Sequence, residues 1–226
     1  MTYSDDGEDK YILSLFPEGY VGTAVEVGAG DGKTLSNTLL LEEKGWNVLC
    51  IEPNPDLASD LLATRKNVVL CACLGHEGEE DFYSYVNPGG AHREVVATVG
   101  DLSEDFREQF CKDASREPTI RKVKVATLDS LLDKWPHQDP IDFVSIDVDG
   151  REPEVLAGLD FKRWAPRYIL IEDVRLTGLN VIDEALRAHG YFSIGLFGWN
   201  SLWASQGTTK ERLEKEPGMW VRRGMA

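Results

Sequence analysis

Short β-branched runs alternate along this chain with longer segments of helical period, and that alternation restricts the fold more than any other feature. Parallel strands joined by crossover helices produce this pattern, so the class is α/β. The strand candidates are Thr23 to Val27, Trp46 to Glu52, Val68 to Leu74, Ile141 to Asp147 and Tyr168 to Glu172. Several are apolar at successive positions, as strands covered on both faces must be. The intervening segments Leu35 to Lys44, Asp56 to Lys66, Glu152 to Leu159 and Val181 to His189 read as helices. Arg121 to Val125 alternates basic and apolar residues, which predicts an edge strand with one wet face, and Thr127 begins a short helix with Leu128, Leu131 and Leu132. Tyr191 to Phe197 and Met219 to Arg222 read as two last strands, a hairpin that closes the sheet antiparallel. Asn87 to Pro118 breaks the rhythm with Pro88, Gly89, Gly90 and many charges; it reads as a lid or a featureless insertion.

At 226 residues the chain suits one domain, 1–226. Its 24 basic and 39 acidic residues leave a net charge of -15. Such a surface repels phosphate backbones and anionic lipid, so neither nucleic acid nor membrane is expected as a partner. No apolar run reaches a membrane span, and the acidic start MTYSDDGEDK is unlike a signal peptide, which makes the cytoplasm the expected address. Cys50, Cys71, Cys73 and Cys111 form no CxxC pair and read as small buried hydrophobes. Among the histidines only His76, just past the third strand, is placed near a ligand loop, and a solvent-facing role is the simpler reading. Trp199 and Trp203 bracket Asn200 and serve either an acceptor pocket or the core.

The most informative stretch is Val25-Glu26-Val27-Gly28-Ala29-Gly30-Asp31-Gly32, a strand entering a glycine-rich turn. A plain strand-to-helix turn needs one glycine or two; three within five residues favour a ligand resting against backbone. Glu52 ends the second strand, placed to accept hydrogen bonds from both hydroxyls of a ribose, and Pro53 and Pro55 keep the next loop extended. Dinucleotide enzymes and nucleoside-cofactor methyltransferases share this layout. They part at the third glycine of GxGxxG, which packs helix on strand beneath a pyrophosphate and is Lys33 here. That departure weakens the alternative of an NAD-dependent oxidoreductase. Glu26 and Asp31 beside the turn suit a ligand with an ammonium and a sulfonium, and S-adenosylmethionine is one.

A second site follows the buried strand at Ile146-Asp147-Val148-Asp149-Gly150, and Glu172-Asp173 ends the next strand. Ligands of open α/β sheets bind beyond the carboxyl ends of the strands, so these acids should converge on whatever the glycine turn holds. Asp147, Glu172 and Asp173 offer hard oxygen ligands for Mg2+, which would activate an acceptor hydroxyl. Without a metal, Asp147 or Asp149 serves as base. The competing structural reading is that Asp147 and Glu172 only cap helices. A catalytically silent nucleotide-binding module is the remaining alternative, against which the clustered acids argue.

Together these segments resemble the FkbM family of S-adenosylmethionine-dependent methyltransferases. The similarity runs from Gly7-Glu8-Asp9 to Asn200-Ser201-Leu202-Trp203, through Leu35-Ser36-Asn37-Thr38, Gly45-Trp46 and Ile51-Glu52-Pro53-Asn54-Pro55. The resemblance implies a Rossmann-like class I methyltransferase fold: a mostly parallel seven-stranded sheet with helices on both faces and an antiparallel C-terminal strand. It implies methylation of a hydroxyl on a small molecule, sugar or natural product. It also implies cofactor contacts at Glu26, Gly28, Ala29, Gly30 and Asp31 near the methionine end, Glu52 and Pro53 near the ribose, Leu74 and Gly75 after Cys73 near the adenine, and Asp147 near the methyl.

Overall fold

The computed structural model describes residues 2–86, 95–100, 118–137, 140–172 and 179–208. In chain order its elements are α1 (Glu8–Ser14), β1 (Thr23–Val27), α2 (Leu39–Glu43), β2 (Asn47–Ile51), α3 (Ala58–Thr64), β3 (Asn67–Val69), β4 (Ala72–Cys73), β5 (Gly78–Val86), β6 (Val95–Val99), β7 (Thr119–Ala126), α4 (Leu128–Lys134), β8 (Phe143–Ile146), α5 (Glu152–Ala157), β9 (Tyr168–Glu172), α6 (Leu179–Ala188), β10 (Tyr191–Phe197) and β11 (Asn200–Ser205).

β1 is buried at all five positions because it lies between β2 and β8, parallel to both. Val25 stands opposite Leu49 on one side and Val144 on the other. Alternate side chains leave the strands on opposite faces. Val25, Val27, Ile51 and Ile146 pack with Leu128 and Leu131 of α4, Val155 of α5 and Ile182 of α6. Ala24, Val48, Cys50 and Phe143 pack with Ile12, Leu41 and Leu61 of α1, α2 and α3. Three helices therefore cover each face, and none is long enough to persist alone in water. Burial of side chains such as Leu41 or Ile182, roughly 1.5–3 kcal/mol each, is what holds the helices in place.

The sheet order is β10-β11-β9-β8-β1-β2-β3, with β11 antiparallel to both neighbours. This is the Rossmann-like class I methyltransferase arrangement, and it carries the expected antiparallel strand near the C-terminal end of the sheet. The strand is Asn200–Ser205, however, and buries Trp203; the expected Met219 to Arg222 strand lies outside the described residues. Chain connections diverge between β1 and β8, so a crevice opens beyond their carboxyl ends.

A second sheet of four strands, order β4-β7-β5-β6, was not anticipated from the sequence. It accounts for two of the expected strands. The apolar run Val68 to Leu74 is two strands, β3 closing the edge of the large sheet and β4 pairing with β7, because the chain crosses between sheets at exposed Leu70. Arg121 to Val125 belongs to β7, which is bordered by β5 alone as far as Lys124 and gains a second neighbour, β4, only at Val125 and Ala126. Its alternation arises from one face packed on Phe82 and Val99 and another where Lys122 meets Asp81 at 2.9 Å. Within the expected lid, Val95–Val99 is strand β6, and 87–94 and 101–117 lie outside the described residues, as do Cys111 and His92.

The two leading turns of the crevice touch through backbone. Gly28 has φ 85°, and a Cβ there would lie 1.7 Å from the Asp147 carbonyl oxygen. Gly30, at φ 56°, has open space instead. Gly28→Ala should therefore lower unfolding stability by at least about 3 kcal/mol. Gly30→Ala carries only the left-handed backbone penalty of about 1–2 kcal/mol. Urea unfolding of the two variants measures the difference.

Candidate active site

The glycine turn is fixed from below. Gly28 and Ala29 donate their amides to the Ile51 carbonyl at 3.0 and 3.1 Å, and Asp147 donates its amide to Val27 at 3.0 Å. Gly30 donates to Glu52 Oε2 at 2.8 Å and Asn54 to Glu52 Oε1 at 2.7 Å, so Glu52 ties the ends of β1 and β2 together. Asp31 accepts from the Lys33 and Thr34 amides and the Thr34 hydroxyl; these bonds outweigh its burial and hold its carboxyl below the ordinary range.

Glu26 sits inside buried β1, where an unpaired carboxylate would be costly. Arg65, at the end of α3 and wholly buried, donates to it at 2.9 Å and to Glu42 at 2.5 Å. Ser36 and Thr38 hydroxyls and the Asn37 amide complete the shell around Glu26. These bonds take up Ser36 to Thr38, which is why α2 begins at Leu39 and not at the expected Leu35. Arg65 escaped the sequence reading, since an arginine at a helix end looks like solvated surface.

Above this base lies a cavity of about 590 Å³. Glu26, Gly28, Ala29, Gly30, Asp31, Glu52 and Pro53 line it from the β1 and β2 ends, and Cys73 and Leu74 from β4. Asp147, Val148, Asp149, Arg151 and Glu172 line it from β8 and β9, and Phe82, Ala97, Thr98 and Val99 from the second sheet. Nearly every candidate residue thus meets in one place. Gly75 is the exception: it packs on α5, where a Cβ would lie 3.2 Å from the Glu154 carbonyl. Asp173 lies outside the described residues. His76 pairs with Glu80 at 2.9 Å, away from the cavity lining.

The acids are crowded. Asp147, Glu152 and Glu172 each bring an oxygen within 4.8 Å of the others. Among the described residues Glu152 completes this cluster with Asp147 and Glu172. Its Oε1 accepts from the Val148 and Gly150 amides at 3.0 and 3.1 Å and fixes the turn that holds Asp149 at φ 52°. Asp149 Oδ2 accepts from the Ala97 amide at 3.1 Å, and Arg151 Nη1 donates to the Val99 carbonyl at 3.0 Å, so this turn anchors β6.

Burial is the first cause in every case that raises these acids. Glu52 and Glu152 are pushed up to about 7, with neighbouring amides opposing the rise. Asp149 rises to about 8 through burial and the Asp147 charge. Glu172 rises to about 9 through burial and then Asp147, Asp149 and Glu152. Asp147 is also raised: water reaches it from the cavity, yet protein surrounds its carboxylate. Asp147 and Glu172 lie close together, and the Asp147 charge disfavours that of Glu172.

A Rossmann-like sheet with a glycine turn, an acid ending β2 and acids ending β8 is the layout of an enzyme with a nucleoside cofactor. The family model described as the methyltransferase FkbM domain matches residues 26–192, and the chain belongs to this family of S-adenosylmethionine-dependent methyltransferases. That assignment removes the NAD-dependent oxidoreductase reading. A search of curated sequences finds no match. Solved structures that resemble the chain include a precorrin-6y C5,15-methyltransferase from Geobacter metallireducens, at 15% identity and TM-score 0.45 over 88% of each chain. Another is a fibrillarin pre-rRNA processing protein from Methanococcus jannaschii, at 14% identity and TM-score 0.40 over 82% of this chain and 67% of that one. A third is a SAM-dependent methyltransferase from Aquifex aeolicus, at 15% and 0.37 over 87% and 88%. Likenesses this distant say nothing of the acceptor.

Two predictions follow from the buried charges. Arg65→Ala strands Glu26 and Glu42 and should cost about 3–5 kcal/mol in chemical denaturation. A carboxyl whose folded pKa is raised contributes stability below its unfolded pKa and loses it as pH rises through the folded one. For Glu172 that window runs from the ordinary 4.5 to about 9. The ligand-free protein should therefore have a lower urea midpoint at pH 8.5 than at pH 6, and Glu172→Gln should flatten the difference.

Proposed function

We propose that the chain transfers a methyl group from S-adenosylmethionine to a hydroxyl of a small-molecule or carbohydrate acceptor. The supporting observation is that the glycine turn, Glu52 and the Asp147 cluster line one cavity. S-adenosylmethionine supplies the methyl carbon and, in its sulfonium, the leaving group. Gly30, which faces open space, lets it approach the backbone, and Glu52 has a further lone pair on each oxygen for the ribose diol. Asp31 and the exposed end of the turn face its charged amino acid portion. The acceptor oxygen forms the new bond to the methyl carbon as the carbon–sulfur bond breaks, the electron pair remaining on sulfur, and the hydroxyl proton passes to Asp147. Asp149, the other candidate base, commits one oxygen to Ala97 and holds the wall of the cavity.

The same charge balance favours a small neutral or cationic acceptor over nucleic acid or a lipid surface. No helix among the described residues is long and apolar enough to cross a membrane, and we place the protein in the cytoplasm.

Calorimetric titration of S-adenosylmethionine into the purified protein tests the reading. Glu52→Ala should weaken binding by about tenfold or more. Asp147→Asn should retain binding while slowing methyl transfer to any accepted hydroxyl by about a hundredfold or more. Equal affinity in wild type and Glu52→Ala would refute the cofactor placement. Heat from magnesium that disappears in Asp147→Asn would replace the carboxylate base with a metal.

A further inference from the structure

Charge in the cavity is one-sided. Seven carboxylates, from Glu26 to Glu172, line it against a single basic side chain, Arg151, among the described residues. Arg151 does not offset them, because its Nη1 is bonded to the Val99 carbonyl and its Nε lies 3.0 Å from Glu154. Glu26 is neutralised from beneath by Arg65. Among the described residues no basic side chain pairs with Glu52, Asp147, Asp149, Glu152 or Glu172, which have amides and one another as neighbours.

S-adenosylmethionine brings two positive centres and a carboxylate of its own, a net of one positive charge. That is too little for the group at the ends of β8 and β9, and carboxylates crowded along one cavity wall call for a counterion. A second, independent feature of the same wall points to a ligand. Thr98 on β6 is 4% exposed, and its hydroxyl has no hydrogen-bond partner. Buried hydroxyls are almost always paired, so this one is an available donor and acceptor for a bound polar group. Ala97 and Val99, on either side of it, are tethered to Asp149 and Arg151, which fixes the strand against the acids.

We propose that the acceptor carries an ammonium group which pairs with Asp147 and Glu172, so that the substrates are amino alcohols or amino sugars. The proposal rests on the methyltransferase reading above and adds the acceptor's charge to it. The ammonium supplies the counterion that these carboxylates lack among the described residues. Asp147 then takes the proton that the acceptor hydroxyl gives up as its oxygen bonds to the methyl carbon and the carbon–sulfur bond breaks. Neutral polyols of the same size lack that charge.

The test uses the full chain saturated with S-adenosylhomocysteine, into which ethanolamine or ethylene glycol is titrated at equal ionic strength. Ethanolamine should bind about tenfold tighter than the diol, the difference one screened ion pair makes. In Glu172→Gln the ratio should fall toward one, with the melting transition showing that the variant is folded. Thr98→Val, which keeps shape and removes the hydroxyl, should weaken ethanolamine without changing the ratio's dependence on Glu172. Equal binding of the two probes, or no binding of ethanolamine, overturns the proposal. So does magnesium heat that ethanolamine suppresses, since the counterion is then a metal. Failure of S-adenosylhomocysteine itself to bind strikes the cofactor reading first, and the two failures are told apart in the first titration.

Discussion

A carboxylate in the middle of a strand covered on both faces has to be neutralised, and the way Glu26 is neutralised organises the rest of the site. Arg65 reaches it from the end of α3, and Glu42 and the Thr38 hydroxyl hold the guanidinium in place. The same guanidinium bonds the Gly32 carbonyl. One buried side chain thus joins β1, α2, α3 and the end of the glycine turn, with Ser36 and Asn37 drawn in beside it. Ion pairs of this kind add little net stability over an apolar core. Their effect here is positional: with the bonds Asp31 makes to Lys33 and Thr34, they hold the loop from Asp31 to Thr38 in one shape against the cavity.

The acids on the other side of the cavity are treated in the opposite way. Glu26 and Glu42 have a cation of their own; Asp147, Asp149, Glu152 and Glu172 have amides and each other. Burial and mutual repulsion raise all four. So crowded, they repel one another, and a cation among them would relieve that repulsion. Among the described residues the two groups of carboxylates differ in whether the chain supplies the counterion.

Much of this was readable in the residues. β1 and β9 have the ends expected from their apolar runs, because strands covered on both faces carry an unbroken hydrophobic signal. The glycine turn, Glu52 and Asp147 were legible for a related reason: the ligand crevice is set by strand ends, and strand ends can be found. The second sheet was not legible. β5 carries Gly78-Glu79-Glu80-Asp81, a charged opening that resembles a loop until Lys122 and Lys124 come opposite it. The partner of Val68 to Leu74 was equally hidden, since an apolar run does not say which sheet it joins.

Sequence by itself determined the class of fold and the chemical types at the carboxyl ends of the large sheet, because hydrophobic period and glycine placement act locally. Only the tertiary structure decided which acids are compensated. Arg65 lies 39 residues beyond Glu26, in a different element, and nothing in its neighbourhood marks it as buried. Likewise Glu152 joins Asp147 and Glu172 only when β8, α5 and β9 are packed, and Thr98 meets them only through the second sheet. Charge balance inside a cavity is a sum over elements far apart in the chain, and such a sum exists only once they have been brought together.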